Sequence, residues 1–248
     1  MTAQRLADEI RRLAATRVHW TNWDDYIEGR ASALTGHIVT AREVGVRELQ
    51  RWRSGRFQTL HVAVADAVFS KQKIYRTAVL NHVRPFAAAW GRASLAEFCR
   101  QPWTTVFQGT FGKPPKDPAA PSHNHLSTEG RVRTILAACQ RLLALGVTSA
   151  TDAHAWAQDA ARRARMEHAL LTTSGLGEAL TSNVLMNVGH LRPKLDTHVR
   201  AVVSEACGIA KDAPVDEMLR RLADAGTALG MHPFELDQII WYARAERA

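Results

Sequence analysis

The sequence predicts an all-α fold, and three observations carry that expectation. Apolar residues recur at helical spacing in segment after segment, as in Leu6, Ile10 and Leu13, or Val132, Ile135, Leu136, Leu142 and Leu143. No run alternates with period two for long enough to predict a strand. Helix-start and helix-stop residues punctuate these segments: Ser94, Ser127 or Thr128, and Asp196 at starts, and Gly146 and Gly189 at ends. With 248 residues, 46% of them hydrophobic, the chain can bury a core of one domain or two intimate subdomains.

A first amphipathic helix is predicted over residues 5–16, with Leu6, Ile10 and Leu13 on one side. Trp20, Trp23 and Tyr26 follow, close enough either to form a stacking platform for a base or to be buried against the next helix. A second helix is read over residues 44–52 and is broken by Ser54-Gly55. Residue 60 then opens a long third helix through Val64, Val68, Leu80 and Val83, with helical signals continuing to Trp90. Ser94 caps a short segment over 95–100. Residues 101–128 hold Gly109, Gly112, Pro114, Pro115, Pro118 and Pro121, which predicts a long loop. The Ser-His-Asn-His element at 122–125 lacks a third nearby ligand, so a DNA contact suits it better than a metal, and no metal is expected. Helices are predicted over 129–145, from about 150 onward, over 215–223, and after Pro233 through Ile239, Ile240, Trp241 and Tyr242.

The net charge of +8, from 32 Lys and Arg spread along the chain, favours a polyanionic partner or an anionic surface. Cys99, Cys139 and Cys207 are odd in number and far apart, which argues against both a disulfide framework and a metal cluster. The N-terminal stretch contains acidic residues, unlike a secretory signal, and nowhere do 18 apolar residues run together. A cytoplasmic protein without a membrane partner is expected.

Residues 170–203 say most about chemistry. Ser174-Gly175-Leu176-Gly177 sets two glycines one residue apart, allowing a tight turn with positive φ and close backbone approach. The apolar helical run Val184, Leu185, Met186, Val188 then ends at Gly189. Past Pro193, Asp196-Thr197 stands where a helix N-cap belongs, before Val199, Val202 and Val203. On spacing alone, Asp196 is either a cap or a carboxylate available for chemistry.

Taken together, Gly175-Leu176-Gly177, Gly189 and Asp196-Thr197-His198-Val199 resemble the signature of the helix-hairpin-helix DNA glycosylases related to endonuclease III. The resemblance implies two helical subdomains flanking a DNA-binding cleft. Residues 61–210 would be the glycosylase core, with the hairpin within 170–190, and residues 1–60 would pack with C-terminal helices, 211–248, to complete one subdomain. It also implies that the backbone of Gly175, Leu176 and Gly177 holds a DNA phosphate and that Asp196 is the catalytic carboxylate, with Lys194 and His198 on the DNA. Relatives place an apolar-apolar-Ser-x-Gln helix early in the fold. Here Ala67-Val68-Phe69-Ser70-Lys71-Gln72 matches it, making Gln72 the wedge that fills the gap left by an extruded base, against the alternative of a solvated Gln. Tyr75, Trp23 and Ser70 are the candidate pocket walls.

One departure matters. Relatives that also cut the strand carry a Lys just after the second hairpin glycine, and Glu178, Ala179, Leu180 and Thr181 hold none. The resemblance therefore implies a monofunctional, monomeric glycosylase that uses water, needs no cofactor and excises a damaged or modified base from duplex DNA, leaving an abasic site. Lys194 is the rival nucleophile, with a phosphate contact as its alternative role. Two other readings stay open: a defence enzyme removing hypermodified, for example glucosylated, bases from phage DNA, and a binding module that kept the hairpin but lost catalysis.

Overall fold

The computed structural model describes residues 2–33, 35–70, 75–116 and 124–246. The elements run α1 (Thr2–Ala14), β1 (Arg17–Thr21), α2 (Trp23–Ile27), β2 (Gly36–Thr40), α3 (Ala41–Arg53) and α4 (Leu60–Phe69). Next come α5 (Tyr75–Ala78), a π-helical turn (Val79–Val83), α6 (Arg84–Trp90), α7 (Leu95–Cys99) and α8 (Trp103–Phe111). The remainder is α9 (Thr128–Ala144), α10 (Ala150–Gln158), α11 (Ala160–Leu171), α12 (Glu178–Asn187), α13 (Thr197–Cys207), α14 (Val215–Leu229) and α15 (Pro233–Ala245). The chain is mostly helical, as its apolar periodicity predicts.

The chain divides into two compact units, one formed by residues 1–22, 35–51 and 191–248, the other by 23–34 and 52–190. Each has its own apolar core. In the first, Leu6, Ile10 and Leu13 of α1 meet Val199 and Val203 of α13, Leu222 of α14, and Leu236 and Ile240 of α15. In the second, α4 is the central element: all ten of its residues are buried, and it packs on α9 and α12. A helix buried on every side shows no polar stripe, so its amphipathic signal is weak by construction.

Three expectations need correction. First, β1 and β2 pair antiparallel, with Val18 opposite Val39 and Trp20 opposite His37. The strands are five residues long, and only Val18 and Trp20 are buried, with Val39 partly buried against the same core, too few positions for a period-two pattern to stand out. Second, the stretch read as loop from 101 to 128 carries α8, whose Val106 and Phe107 are buried. Its turn residues act at the helix end, where Gly112 takes the left-handed conformation at φ 67°. Third, the single helix expected over residues 60–83 is α4, then α5 and a π-helical turn, with residues 71–74 outside the described residues.

The early aromatics are used for packing. Trp20 is buried and its indole N–H donates to Glu48 Oε1 at 2.7 Å. Trp23 and Tyr26 pack on the second core, and the Arg84 guanidinium lies 3.7 Å from the Tyr26 ring centre. Capping follows the sequence closely: Ser94 and Glu97 form a reciprocal capping box, and Ser127 Oγ accepts the Gly130 N–H.

Candidate functional site

In the larger unit, α11 and α12 are joined by a six-residue turn, residues 172–177. Thr172 and Thr173 hydroxyls bond back to carbonyls in the last turn of α11, closing that helix. Gly175 follows at φ 88°, a conformation that L side chains rarely adopt. The turn is also sterically closed: a Cβ on Gly175 would lie 2.6 Å from Thr134 Oγ1 and 2.7 Å from His125 Nδ1. Thr134 Oγ1 donates to the Ser174 carbonyl at 3.2 Å, and Ser174 Oγ lies 3.1 Å from His125 Nε2. Leu176 is buried, anchoring the turn, while Gly177 is exposed at the N-cap of α12. Gly177, as N-cap, supplies no side chain to the first amides of α12, and the positive end of that helix suits an anion.

The far end of α12 is held by a polar cluster. Arg56, only 7% exposed, places Nη2 2.7 Å from Asp24 and Nη1 3.1 Å from Asp66. Asn187, the last residue of α12, donates through Nδ2 to Asp66 at 3.0 Å and to the Ala63 carbonyl at 2.9 Å, and accepts from Arg56 Nη1 at 3.0 Å. Gly189, at φ 98°, then ends this helix against the His154 ring, with no room for a Cβ. In the same unit, α9 and α11 border an open groove of about 650 Å³ whose rim carries Arg141, Arg165 and His168. Arg141 Nη1 donates to Thr172 Oγ1 at 3.1 Å, so the groove reaches the start of the glycine turn.

In the smaller unit, Asp196 is the N-cap of α13. Its Oδ1 accepts the amides of His198 at 2.9 Å and Val199 at 3.0 Å, and no hydrogen bond engages Oδ2 among the described residues. Asp196 is half-buried, and Lys194 and His198 are exposed beside it. Two contacts fix the approach to the cap. Lys194 N–H donates to Asp237 Oδ2 of α15 at 3.1 Å, and Arg200 Nε donates to the Leu195 carbonyl at 3.2 Å. Asp237 is 2% exposed, and burial, with Asp196 nearby, pushes its carboxyl up to about 7 against the Lys194 N–H.

The sequence candidates thus gather in two places. Gly175, Leu176 and Gly177 share the turn of the larger unit, and Lys194, Asp196 and His198 share the cap of the smaller one. Trp23 begins α2, half-buried, and Ser70 closes α4 with a buried Oγ that has no hydrogen-bond partner among the described residues. Gln72, the wedge candidate, lies outside the described residues. So does the side chain of Tyr75, although its backbone opens α5. Of the Ser-His-Asn-His element, 122 and 123 also lie outside, while His125 packs on the glycine turn. Sequence reasoning missed Thr134 and Asp237. Nothing local marks them, since Asp237 is 43 residues from Lys194 and Thr134 is 40 from Ser174.

The chain belongs to the family described as "Domain of unknown function (DUF8548)", which matches residues 37–245. No curated protein and no solved structure matches it.

Proposed function

We propose that this member of the DUF8548 family is a monofunctional DNA glycosylase, with a helix-hairpin-helix formed by α11, the Gly175 turn and α12, and with Asp196 as its catalytic carboxylate. The observation that carries the reading is the state of Asp196. Both cap bonds fall on Oδ1, so the carboxylate is oriented while Oδ2 keeps its lone pairs for chemistry. The closed glycine turn, the glycine N-cap of α12, and Arg141 and Arg165 on the rim of the neighbouring groove support a phosphate-bearing partner.

The mechanism follows from charge. Extruding a base costs a few kcal/mol, which contacts to the backbone must offset. As the bond from sugar to base lengthens, positive charge builds on the sugar, and an ionised Asp196 stabilises that state more than the ground state. Its free oxygen can also orient the attacking water. Glu178, Ala179, Leu180 and Thr181 offer no amine, so hydrolysis rather than strand cleavage is the expected outcome.

A second reading, DNA binding without catalysis, is favoured by one observation: the cap bonds already engage one Asp196 oxygen. One experiment separates the two. Free-base release is read by mass spectrometry from lesion-bearing duplexes and modified phage genomes, using wild type and Asp196→Asn, with duplex affinity measured in parallel. The glycosylase reading expects release by wild type, none by Asp196→Asn, and affinity retained in both. Tight, salt-dependent binding with no release from any substrate leaves the binding module, and absence of both ends the DNA reading.

A further inference from the structure

We infer that Asp237 is a positioning residue for Asp196: its buried carboxylate on α15 takes the Lys194 N–H and so fixes the segment that delivers the Asp196 carboxylate. For its chemistry the inference rests on the proposed glycosylase reading. The anchoring geometry stands without it.

Asp237 sits where an acid is costly. Its neighbours Leu236, Ile239 and Ile240 are fully buried in an apolar core, and no Lys or Arg side chain comes within salt-bridge distance of it among the described residues. Its two hydrogen bonds, from Lys194 N–H at 3.1 Å and Gln238 Nε2 at 3.3 Å, both reach Oδ2. The consequence falls on consecutive peptide groups. Lys194 is held at its amide by Asp237, and its carbonyl accepts the Asp196 N–H at 2.7 Å, while the Leu195 carbonyl is held by Arg200. An apolar residue at 237 would pack this core at lower cost but would leave the Lys194 amide without its acceptor.

The same carboxyl changes charge close to neutrality, because burial outweighs the Lys194 N–H and sets it at about 7. The charged groups acting on it are Asp196, which raises it, and Lys194, which lowers it. On the elements packed against α15, Arg200 of α13 is held at the Leu195 carbonyl, and several other charges pair away from Asp237. Glu9 of α1 and Glu205 of α13 face Arg244 near the end of α15, Glu217 of α14 pairs with Arg221, and His19 of β1 acts on Glu246. Once ionised, Asp237 binds the Lys194 N–H by a charge-assisted bond and tightens the turn. It also adds a second negative charge close enough to interact with Asp196, which favours a cationic sugar.

The test follows base release by wild type and Asp237→Asn from below to above pH 7, with amide hydrogen exchange at Lys194 as a readout independent of activity. In wild type, kcat should rise through about pH 7 with KM for duplex little changed. In Asp237→Asn, which keeps the size and one acceptor oxygen, that rise should vanish and kcat should drop at least about tenfold, as a small misplacement of a reacting group does. Lys194 exchange, corrected for intrinsic base catalysis, should slow through the same range in wild type but not in Asp237→Asn, and should be unprotected in Asp237→Ala. A wild-type pH profile in Asp237→Asn overturns the inference. So does a lowered kcat with both the profile and Lys194 exchange unchanged, because that pattern marks packing alone. If wild type releases no base, the glycosylase reading fails on its own, and Lys194 exchange still decides whether Asp237 anchors the turn.

Discussion

Each compact unit buries an acid on a core helix, and the two acids are accommodated differently. Asp66 on α4 shares Arg56 with Asp24 and takes a further hydrogen bond from Asn187. Asp237 on α15 has one backbone amide, one side-chain amide and no cation at salt-bridge distance among the described residues. The first arrangement ties α2, α4 and α12 together and gains rigidity from opposite charges held in place. The second leaves a carboxyl close to its own titration point, next to a segment that carries candidate chemistry. A buried acid paired with a cation is costly to unpair, whereas one without a cation beside it responds to its surroundings.

The largest effect should come from breaking the compensated cluster. Arg56→Ala removes the guanidinium shared by two buried carboxylates, which is also the cation 4.4 Å from the Trp52 ring centre. A loss of about 3–5 kcal/mol is expected, or a Tm lower by on the order of 10 °C by calorimetry. A loss under about 1 kcal/mol would mean that water compensates these acids and that the two units do not differ in this respect.

The next effect sharpens the contrast from the other side. The fold favours the protonated form of Asp237, its carboxyl raised above the ordinary Asp value to about 7. Its contribution is therefore complete below the unfolded value and is lost as pH rises through about 7. A tenfold change in proton affinity is worth roughly 1.4 kcal/mol, so a few kcal/mol are at stake. Denaturant unfolding of Asp237→Asn should show a flatter pH dependence than wild type and greater stability on the alkaline side. Identical pH slopes in the two proteins would show that Asp237 is solvated in solution.

The smallest effect lies at His61, a buried base on the same helix as Asp66. Its Nε2 donates to the Trp90 carbonyl at 2.8 Å, its ring stacks on Phe98, and burial pushes its imidazole below the ordinary His value. The fold holds it neutral. The stability it contributes is present above the unfolded value, and acid removes it as pH falls toward the lowered folded value. His61→Leu should abolish that part of the acid sensitivity in a thermal melt, and an unchanged acid limb would assign the sensitivity to other groups.

Asp196 marks the line between what was legible in the sequence and what was not. Its place before an apolar helical run identified the cap, as did Ser94 with Glu97 and Ser127 before α9, because a cap bonds amides two or three residues away. The tight turn at Gly175 was legible for the same reason, since positive φ is a property of one residue and glycine adopts it at no steric cost. The helix inside the stretch read as loop was obscured by prolines and glycines that lie mainly beyond its end.

By itself, then, the sequence determined the mostly helical class, the glycine turn and the caps, all of which depend on interactions within about one helical turn. Only the tertiary structure decided which strands pair, that Thr134 and His125 close around Gly175, that Arg56 reaches Asn187 across 131 residues, and that Asp237 supports the Asp196 turn. These contacts join residues that no local rule relates. An acid in an apolar run reads the same in sequence whether it faces water or a backbone amide, and only folding puts the amide there.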